Sequence, residues 1–132
     1  NRRALCRLLW RLWSPHWDFD EATFEKSAAS FDNPDFVAVT IQSYRHRYGS
    51  APGDPALDEI ERRLAAQPKI TVPAIALQGE ADGVLGPELS QGHARQFTGR
   101  YERRVLPRIG HNPPQEAPGA FADAVLALLN VG

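Results

Sequence analysis

The sequence of 132 residues contains no methionine, a single cysteine, no large excess of charge and no long apolar run. Cys6 alone cannot form an internal disulfide, so the sequence does not indicate a secreted, disulfide-linked scaffold. The formal net charge of -1 gives no sign of nucleic-acid binding. No apolar stretch reaches the about 18 residues of a membrane span, and arginines interrupt the N-terminal stretch LCRLLWRLW, unlike a signal peptide. These absences predict a cytoplasmic protein without a nucleic-acid or membrane partner.

The missing methionine bears on the extent of the chain, which begins at Asn1. A complete translation product begins with methionine, so we expect the chain to be a piece of a longer protein. Its composition, with 42% apolar and 23% charged residues, is that of an ordinary globular protein.

The residues before Gln67 have helical patterns. Asp20, Asp32 or Asn33, and Asp54 each precede apolar residues at helical spacing, and Asp and Asn are preferred helix N-caps. The apolar stripes of the second and third of these helices are expected to be buried. They comprise Val37, Ile41, Tyr44 and Tyr48 in one helix, and Leu57, Ile60 and Leu64 in the other.

The N-terminal segment from Arg2 to Trp13 predicts an amphipathic helix. One side carries Leu5, Leu8, Leu9 and Leu12, with Arg2, Arg3, Arg7 and Arg11 beside them. A basic helix of this kind is also found on membrane surfaces, but the pattern favours packing of the leucines against other protein.

After Gln67 the pattern changes to alternating strands and helices. ITVPAIALQG is a continuous apolar run, typical of a strand buried on both faces, and YERRVLP alternates like a second strand. PELSQGHARQFTG and APGAFADAVLALLNV predict the helices that follow them. This order predicts two parallel strands with right-handed crossovers, hence the α/β class. Two strands are too few for a stable parallel sheet, so we expect the fold to be incomplete as a stand-alone unit.

Two polar side chains follow the predicted strands, where functional groups of open α/β sheets gather. Asp82 follows the first strand in GEAD, and His111 follows the second in PRIGH. A carboxylate beside an imidazole holds its tautomer and stabilises its protonated form while the other nitrogen transfers a proton. Alone, Asp82 is more typical of a turn carboxylate and His111 of a loop histidine, but the pair in this order predicts a catalytic base and its orienting acid. Glu80 is the rival of Asp82 for the orienting role.

The stretches VPAIALQGEADGVLGP and YERRVLPRIGHNPPQEAPGAFADAVLALL resemble the C-terminal third of α/β-hydrolase fold enzymes. The shared pattern is strand, G-x-x-D, strand, G-H and a closing helix that begins near proline, and it covers about Ile70 to Val131. The resemblance implies that Asp82 is the triad acid and His111 the catalytic histidine. It also implies a helical cap over residues 1–67 and the C-terminal part of the hydrolase core over residues 68–132.

The helical half resembles the cap of the branch that holds epoxide hydrolases and haloacid or haloalkane dehalogenases. Those enzymes use cap tyrosines to polarise an epoxide oxygen, or Trp, His or Arg to hold a halide. The resemblance therefore implies substrate-binding roles, while core packing of the two tyrosines stays an alternative. The candidates are Tyr44, Arg45, His46, Tyr48 and Trp13. No cofactor is implied. His16 and His46 lack a partner at a metal-ligand spacing, and His93 is expected at the surface.

The nucleophile elbow of the family, G-x-S-x-G or its Asp or Cys equivalent, does not occur in this sequence. In the family the elbow and the oxyanion-hole loop precede the cap, so we expect both before Asn1, in a missing N-terminal part of the same protein. A serine would make an esterase. An aspartate would form an alkyl-enzyme ester, which water activated by His111 then hydrolyses. The expected substrate is a small, largely apolar ester, epoxide or halide.

A non-catalytic alternative stays open. A truncated relic of such a hydrolase would bind a partner through its unpaired sheet edge and its leucine faces. The reading frame upstream discriminates the two hypotheses, because an encoded elbow favours the enzyme and a start codon close to Asn1 favours the relic.

The purified 132-residue chain is expected to be catalytically inert, because it holds a base and an orienting acid without a nucleophile. Hydrolysis of ester and epoxide substrates by the isolated chain is the measurement. Turnover above the buffer rate would contradict the prediction.

Overall fold

A computed structural model describes residues 1–129. The helices and strands are α1 (Arg2–Trp13), α2 (Glu21–Ala28), α3 (Phe36–Arg47), α4 (Asp58–Ala65), β1 (Ala74–Gly79), β2 (Tyr101–Leu106), α5 (Pro113–Glu116) and α6 (Pro118–Leu129). Short 3-10 helices occupy Ala29–Asp32, Pro55–Leu57, Pro87–Ser90 and His93–Gln96. This mixture of helices with a parallel sheet is compatible with the α/β class. Asn130 and Val131, the last positions of the predicted closing helix, lie outside the described residues.

The chain divides into two compact units. Residues 1–4 and 19–68 form the first unit, and residues 5–18 group with the chain from residue 69 onward in the second unit. The division after residue 68 lies close to the boundary expected from the sequence. Most of α1, however, packs with the strand-bearing part of the chain. A cap role for residues 1–67 stays a prediction.

Side chains cap two of the predicted helices. Asp20 Oδ1 accepts a hydrogen bond from the N–H of Thr23 at 2.7 Å, and Asp54 Oδ1 accepts one from Ala56 at 3.0 Å. Both caps were predicted and are confirmed. The predicted cap of the middle helix is wrong, because α3 begins only at Phe36. The Asn33 side chain instead accepts from the N–H of Asp35, in a turn before the helix.

Phenylalanines form the core of the first unit. Phe24 is fully buried and Phe31 is 8% exposed. The Phe24 ring centroid lies 6.2 Å from that of Phe19 and 6.1 Å from that of Phe31, which lies 5.0 Å from Phe36. These rings tie the short helices of the unit together through apolar burial.

The two apolar stripes predicted to be buried are exposed, so that expectation is wrong. The exposed fractions are 45% for Val37, 45% for Ile41, 46% for Tyr44, 73% for Tyr48, 47% for Leu57, 52% for Ile60 and 65% for Leu64. The physical reason is size: a unit this small buries one cluster of phenylalanines and has no second layer to cover its other helix faces.

Strands β1 and β2 pair in parallel, as predicted, with a register that runs from Ala74 opposite Tyr101 to Gly79 opposite Leu106. β1 begins after Pro73, which has no N–H for the ladder. The expectation that β1 is buried on both faces is wrong, since its residues before Gly79 are only half-buried. Within residues 1–129 the sheet has only these two strands, so both of its edges are open.

The segment after β1 does not form the predicted α-helix. It forms the two 3-10 helices Pro87–Ser90 and His93–Gln96, and Gly92 lies between them. The Ser90 hydroxyl donates to the Pro87 carbonyl and closes the first turn. Glycine disfavours a helix interior, and side-chain hydrogen bonds of serine compete with the helical pattern. The closing helix was predicted correctly as α6, which packs against β1 and buries Ala124.

Replacement of Gly79 tests the close approach of the two strand ends. A Cβ at Gly79 would overlap the carbonyl oxygens of Gly110 and Ile109, so Gly79→Ala is expected to lower the free energy of unfolding by about 1–3 kcal/mol. Gly119→Ala is the matched control, because apart from the neighbouring residues and the backbone of α6 itself no atom lies within 4 Å of a Cβ at this position. Urea titration measures both, and equal effects of the two substitutions would contradict the prediction.

Candidate active site

The carboxyl ends of β1 and β2 bring Asp82 and His111 into contact. Nδ1 of His111 lies 2.9 Å from Oδ2 and 3.0 Å from Oδ1 of Asp82. The Asp82 side chain is 7% exposed and that of His111 is 32% exposed. The two residues therefore form a hydrogen-bonded carboxylate–imidazole pair, open to solvent on the imidazole side.

Backbone hydrogen bonds hold the two loops beyond the strands against each other. The N–H of Glu80 donates to the Leu106 carbonyl at 3.0 Å, and that of Ala81 donates to the Ile109 carbonyl at 2.9 Å. These bonds continue the ladder past the last paired residues. They place the residue after Ala81 next to the loop that carries His111.

Asp82 also closes its own turn. Its Oδ1 accepts hydrogen bonds from the N–H of Val84 at 2.8 Å and of Leu85 at 3.0 Å. Burial acts to raise the pKa of Asp82, but the N–H of Leu85, the His111 ring and the N–H of Val84 outweigh it, and the pKa lies below its ordinary value. Asp82 is therefore ionised at neutral pH.

The ionised carboxylate decides the tautomer of His111. An ionised carboxylate only accepts hydrogen bonds, so Nδ1 of His111 carries the hydrogen. The lone pair of Nε2 is then available to take up a proton, and the negative charge of Asp82 stabilises the imidazolium that results. This arrangement can serve as a general base with its orienting acid.

Trp13, a predicted substrate-binding residue, lies beside the pair in the second unit. Its ring centroid is 5.3 Å from that of His111, with the planes at 67°. Its carbonyl oxygen accepts hydrogen bonds from the N–H of Gly83 at 3.0 Å and of His111 at 3.1 Å. One peptide carbonyl thus connects the loop of Asp82 with the loop of His111.

Glu80, the rival of Asp82, is exposed and points elsewhere. Its Oε2 accepts a hydrogen bond from the N–H of Arg108 at 3.3 Å. Arg108 has a positive φ of 64°, so the carboxylate supports a tight turn between β2 and His111. The carboxylate bonded to the imidazole is that of Asp82.

The other predicted substrate-binding residues lie in the first unit. Tyr44 and Tyr48 stack with centroids 6.4 Å apart, and the Arg47 guanidinium lies 5.4 Å from the Tyr44 centroid. His46 Nε2 is 3.2 Å from Glu61 Oε1, and Arg45 is exposed. The tyrosines therefore share an open face, whereas His46 pairs with α4. Their roles in substrate binding stay predictions.

Two residues that the sequence did not single out lie around His111. Ser14 is 1% exposed, and its hydroxyl donates to Glu116 Oε1 at 2.7 Å. The sequence offers a weak indication for Glu116, since a carboxylate a few residues after Gly110 and His111 can reach back to their loop. The sequence offers no indication for Ser14, because its hydrogen-bond partners lie about a hundred residues away in the chain.

Three further features were sought in the described part of the chain: a metal-ligand cluster, a reactive cysteine and a membrane-spanning helix. Residues 1–129 contain no cluster of three or more His, Cys, Asp or Glu side chains placed to hold a metal ion. Cys6 is free, and burial raises the pKa of its thiol, which disfavours the reactive thiolate. None of the helices within these residues is long and apolar enough to cross a membrane.

Comparison with known proteins finds a similar solved structure. A crystal structure described as a putative epoxide hydrolase from Klebsiella pneumoniae subsp. pneumoniae is 46% identical and superposes with a TM-score of 0.90. The match covers 97% of this chain but only 42% of that protein. The chain thus spans less than half the length of this similar structure. No protein-family model and no curated protein matches the chain.

Asp82→Asn tests the electrostatics of the pair. The pKa of Asp82 in the folded protein lies below its ordinary value of 3.8. The ionised carboxylate therefore stabilises the fold at pH values above 3.8, and this contribution is lost as the pH falls through the folded-state pKa. The difference in unfolding free energy between the parent and Asp82→Asn is therefore expected to be largest near neutral pH and to shrink below about pH 4. Urea titrations across this range measure it. A difference independent of pH would contradict the prediction.

Proposed function

We propose that this chain is the C-terminal part of a hydrolase of the α/β-hydrolase fold, in which His111 is the catalytic base and Asp82 its orienting acid. The observation that carries the proposal is the 2.9 Å hydrogen bond between them at the ends of adjacent parallel strands. The 46% identity to a structure described as a putative epoxide hydrolase supports it independently of that geometry.

The proposed reaction uses the free nitrogen of His111. Nε2 removes a proton from water, or from the nucleophile itself if that is a serine, and Asp82 stabilises the imidazolium while it persists. The proton then passes from Nε2 to the leaving group or to solvent. No metal or organic cofactor takes part.

The proposed nucleophile lies on a segment outside these 132 residues, which contain no elbow motif. The coverage of 42% of the similar structure supports this proposal, because most of that chain has no counterpart here. The N-terminal part of the same protein is the proposed partner, and it would cover the open edge of the two-stranded sheet.

The proposed substrate is small and largely apolar, and an epoxide is the first choice among epoxides, esters and alkyl halides. The description of the similar structure supports the epoxide. The open face of Tyr44 and Tyr48 supports it chemically, because phenol hydroxyls can donate hydrogen bonds to an epoxide oxygen. Arg45, His46 and Trp13 are further proposed contacts to the substrate, and the helical segments of residues 1–67 act as its cap.

His111→Gln and Asp82→Asn, made in the full-length protein that contains this chain, test the proposal. Removal of the base, or of the charge that stabilises its protonated form, is expected to lower kcat by about 10²- to 10⁴-fold. The measurement is steady-state hydrolysis of an aryl epoxide, a nitrophenyl ester and a haloalkane, which also identifies the substrate class.

Two matched controls separate the site from its surroundings. His93→Gln replaces an exposed histidine of a 3-10 helix, and Glu80→Gln keeps an oxygen that accepts from Arg108. Both are expected to retain the parent rate within about twofold, as surface substitutions do. The proposal is wrong if His111→Gln retains the full rate, or if Glu80→Gln matches the loss in Asp82→Asn.

A non-catalytic binding module is the second candidate, and the exposed apolar stripes favour it. Leu5, Leu8 and Leu12 of α1 are 57%, 52% and 58% exposed, and the stripes of α3 and α4 are similarly open. Such surfaces mark interaction sites. A full-length reading frame without a nucleophile elbow, together with a protein inert on all three substrates, would favour this candidate over the hydrolase.

A further inference from the structure

Ser14 is a buried polar residue of the second unit, with 1% exposure. Its hydroxyl donates to Glu116 Oε1 at 2.7 Å and accepts from the N–H of His111 at 3.1 Å and from Asn112 Nδ2 at 3.2 Å. A hydroxyl has one hydrogen and two lone pairs, so all of its bonding capacity is used here. The serine is bonded to the histidine residue itself.

Glu116 completes the contacts of the same loop. Its Oε2 accepts from the N–H of Gly110 at 2.7 Å, and its Oε1 accepts from the N–H of Asn112 at 2.8 Å. The N–H groups of three consecutive residues, with His111 in the middle, therefore all donate to Glu116 or to Ser14. Bonds to a carboxylate are stronger than those between neutral groups.

Steric contact leaves this loop little freedom. A Cβ on Gly110 would overlap the Cα of Ser14 and lie 2.7 Å from its Cβ, so only glycine lets the two backbones approach this closely. The Trp13 carbonyl adds its bond to the N–H of His111. The backbone of the histidine is thus held from the side of α1 and from α5.

We infer that Ser14 and Glu116 are positioning residues, which hold the backbone of His111 so that its imidazole meets Asp82. The inference rests on the proposed function, in which His111 is the base. A side chain pivots on its own Cα, so a loop displaced by about 1 Å takes Nδ1 out of hydrogen-bond range of the carboxylate. Displacements of that size cost catalysis about 100-fold.

A carboxylate is required at position 116 because three donors converge on it. Its two oxygens accept from Ser14, Asn112 and Gly110. A glutamine has a single acceptor oxygen, and its NH₂ group would face at least one of these donors. Glu116→Gln therefore leaves a half-buried N–H without an acceptor, which displaces the loop although the side chain keeps its shape.

Ser14→Ala and Glu116→Gln in the full-length protein test the inference. Ser90→Ala is the matched control, because Ser90 is 4% exposed and its hydroxyl donates to the Pro87 carbonyl and accepts from Arg103, outside the loop of residues 110–112. Ser14→Ala and Glu116→Gln are each expected to lower kcat about 100-fold while KM stays within about twofold. Ser90→Ala is expected to retain kcat.

Nitrogen-15 NMR of the His111 ring supplies a readout that lost stability alone does not move. The parent is expected to show the tautomer with hydrogen on Nδ1, and the Ser14→Ala and Glu116→Gln proteins a mixture with the Nε2-bound form. Retention of the parent tautomer and of kcat in both proteins would overturn the inference. If His111→Gln retains full activity, the proposed function fails instead, and the ring spectra still decide whether the two residues position the imidazole.

Amide hydrogen exchange tests the same idea without a substitution, should the altered proteins not fold. The N–H groups of Gly110, His111 and Asn112 are expected to exchange as slowly as those in the middle of β1 and β2 in the parent protein. Exchange at the rate of an open loop would show that these bonds do not hold the histidine, and would overturn the inference.

Discussion

The parallel pairing of β1 with β2 is the constraint on which the site depends. Because the two strands run in the same direction and in matched register, both end at one edge of the sheet, Gly79 opposite Leu106. Two more backbone bonds extend the pairing into the loops, from Glu80 and from Ala81. Asp82 and His111 meet as a consequence of backbone geometry, and their own hydrogen bond then selects the imidazole tautomer.

Residues 13 and 14, at the end of α1, hold the two loops together. The carbonyl of Trp13 bonds to both, and Ser14 with Glu116 satisfies the N–H groups around His111. Polar groups at this depth require partners, since an unsatisfied buried donor costs about 1–3 kcal/mol. The end of α1 therefore belongs to the site in structure, although in sequence it lies with the helical first half of the chain.

Local signals explain what could be predicted from the sequence. The caps at Asp20 and Asp54, the two strands and the order of Asp82 and His111 depend on residues close together in the chain, and these features were found. Burial of the α3 and α4 stripes was predicted wrongly, because periodicity shows which side of a helix is apolar but not whether anything covers it. Ser14 was missed because its hydrogen-bond partners are distant in sequence. The helix expected at residues 87–99 is interrupted at Gly92.

The unequal exposure of Asp82 and His111 determines where the imidazole can exchange protons. The Asp82 side chain is 7% exposed and that of His111 is 32% exposed, and Nδ1 of His111 is hydrogen-bonded to the carboxylate. Protons can therefore enter and leave the imidazole through one atom only, Nε2. In the proposed hydrolase, a proton that His111 takes up at Nε2 must therefore also leave from Nε2.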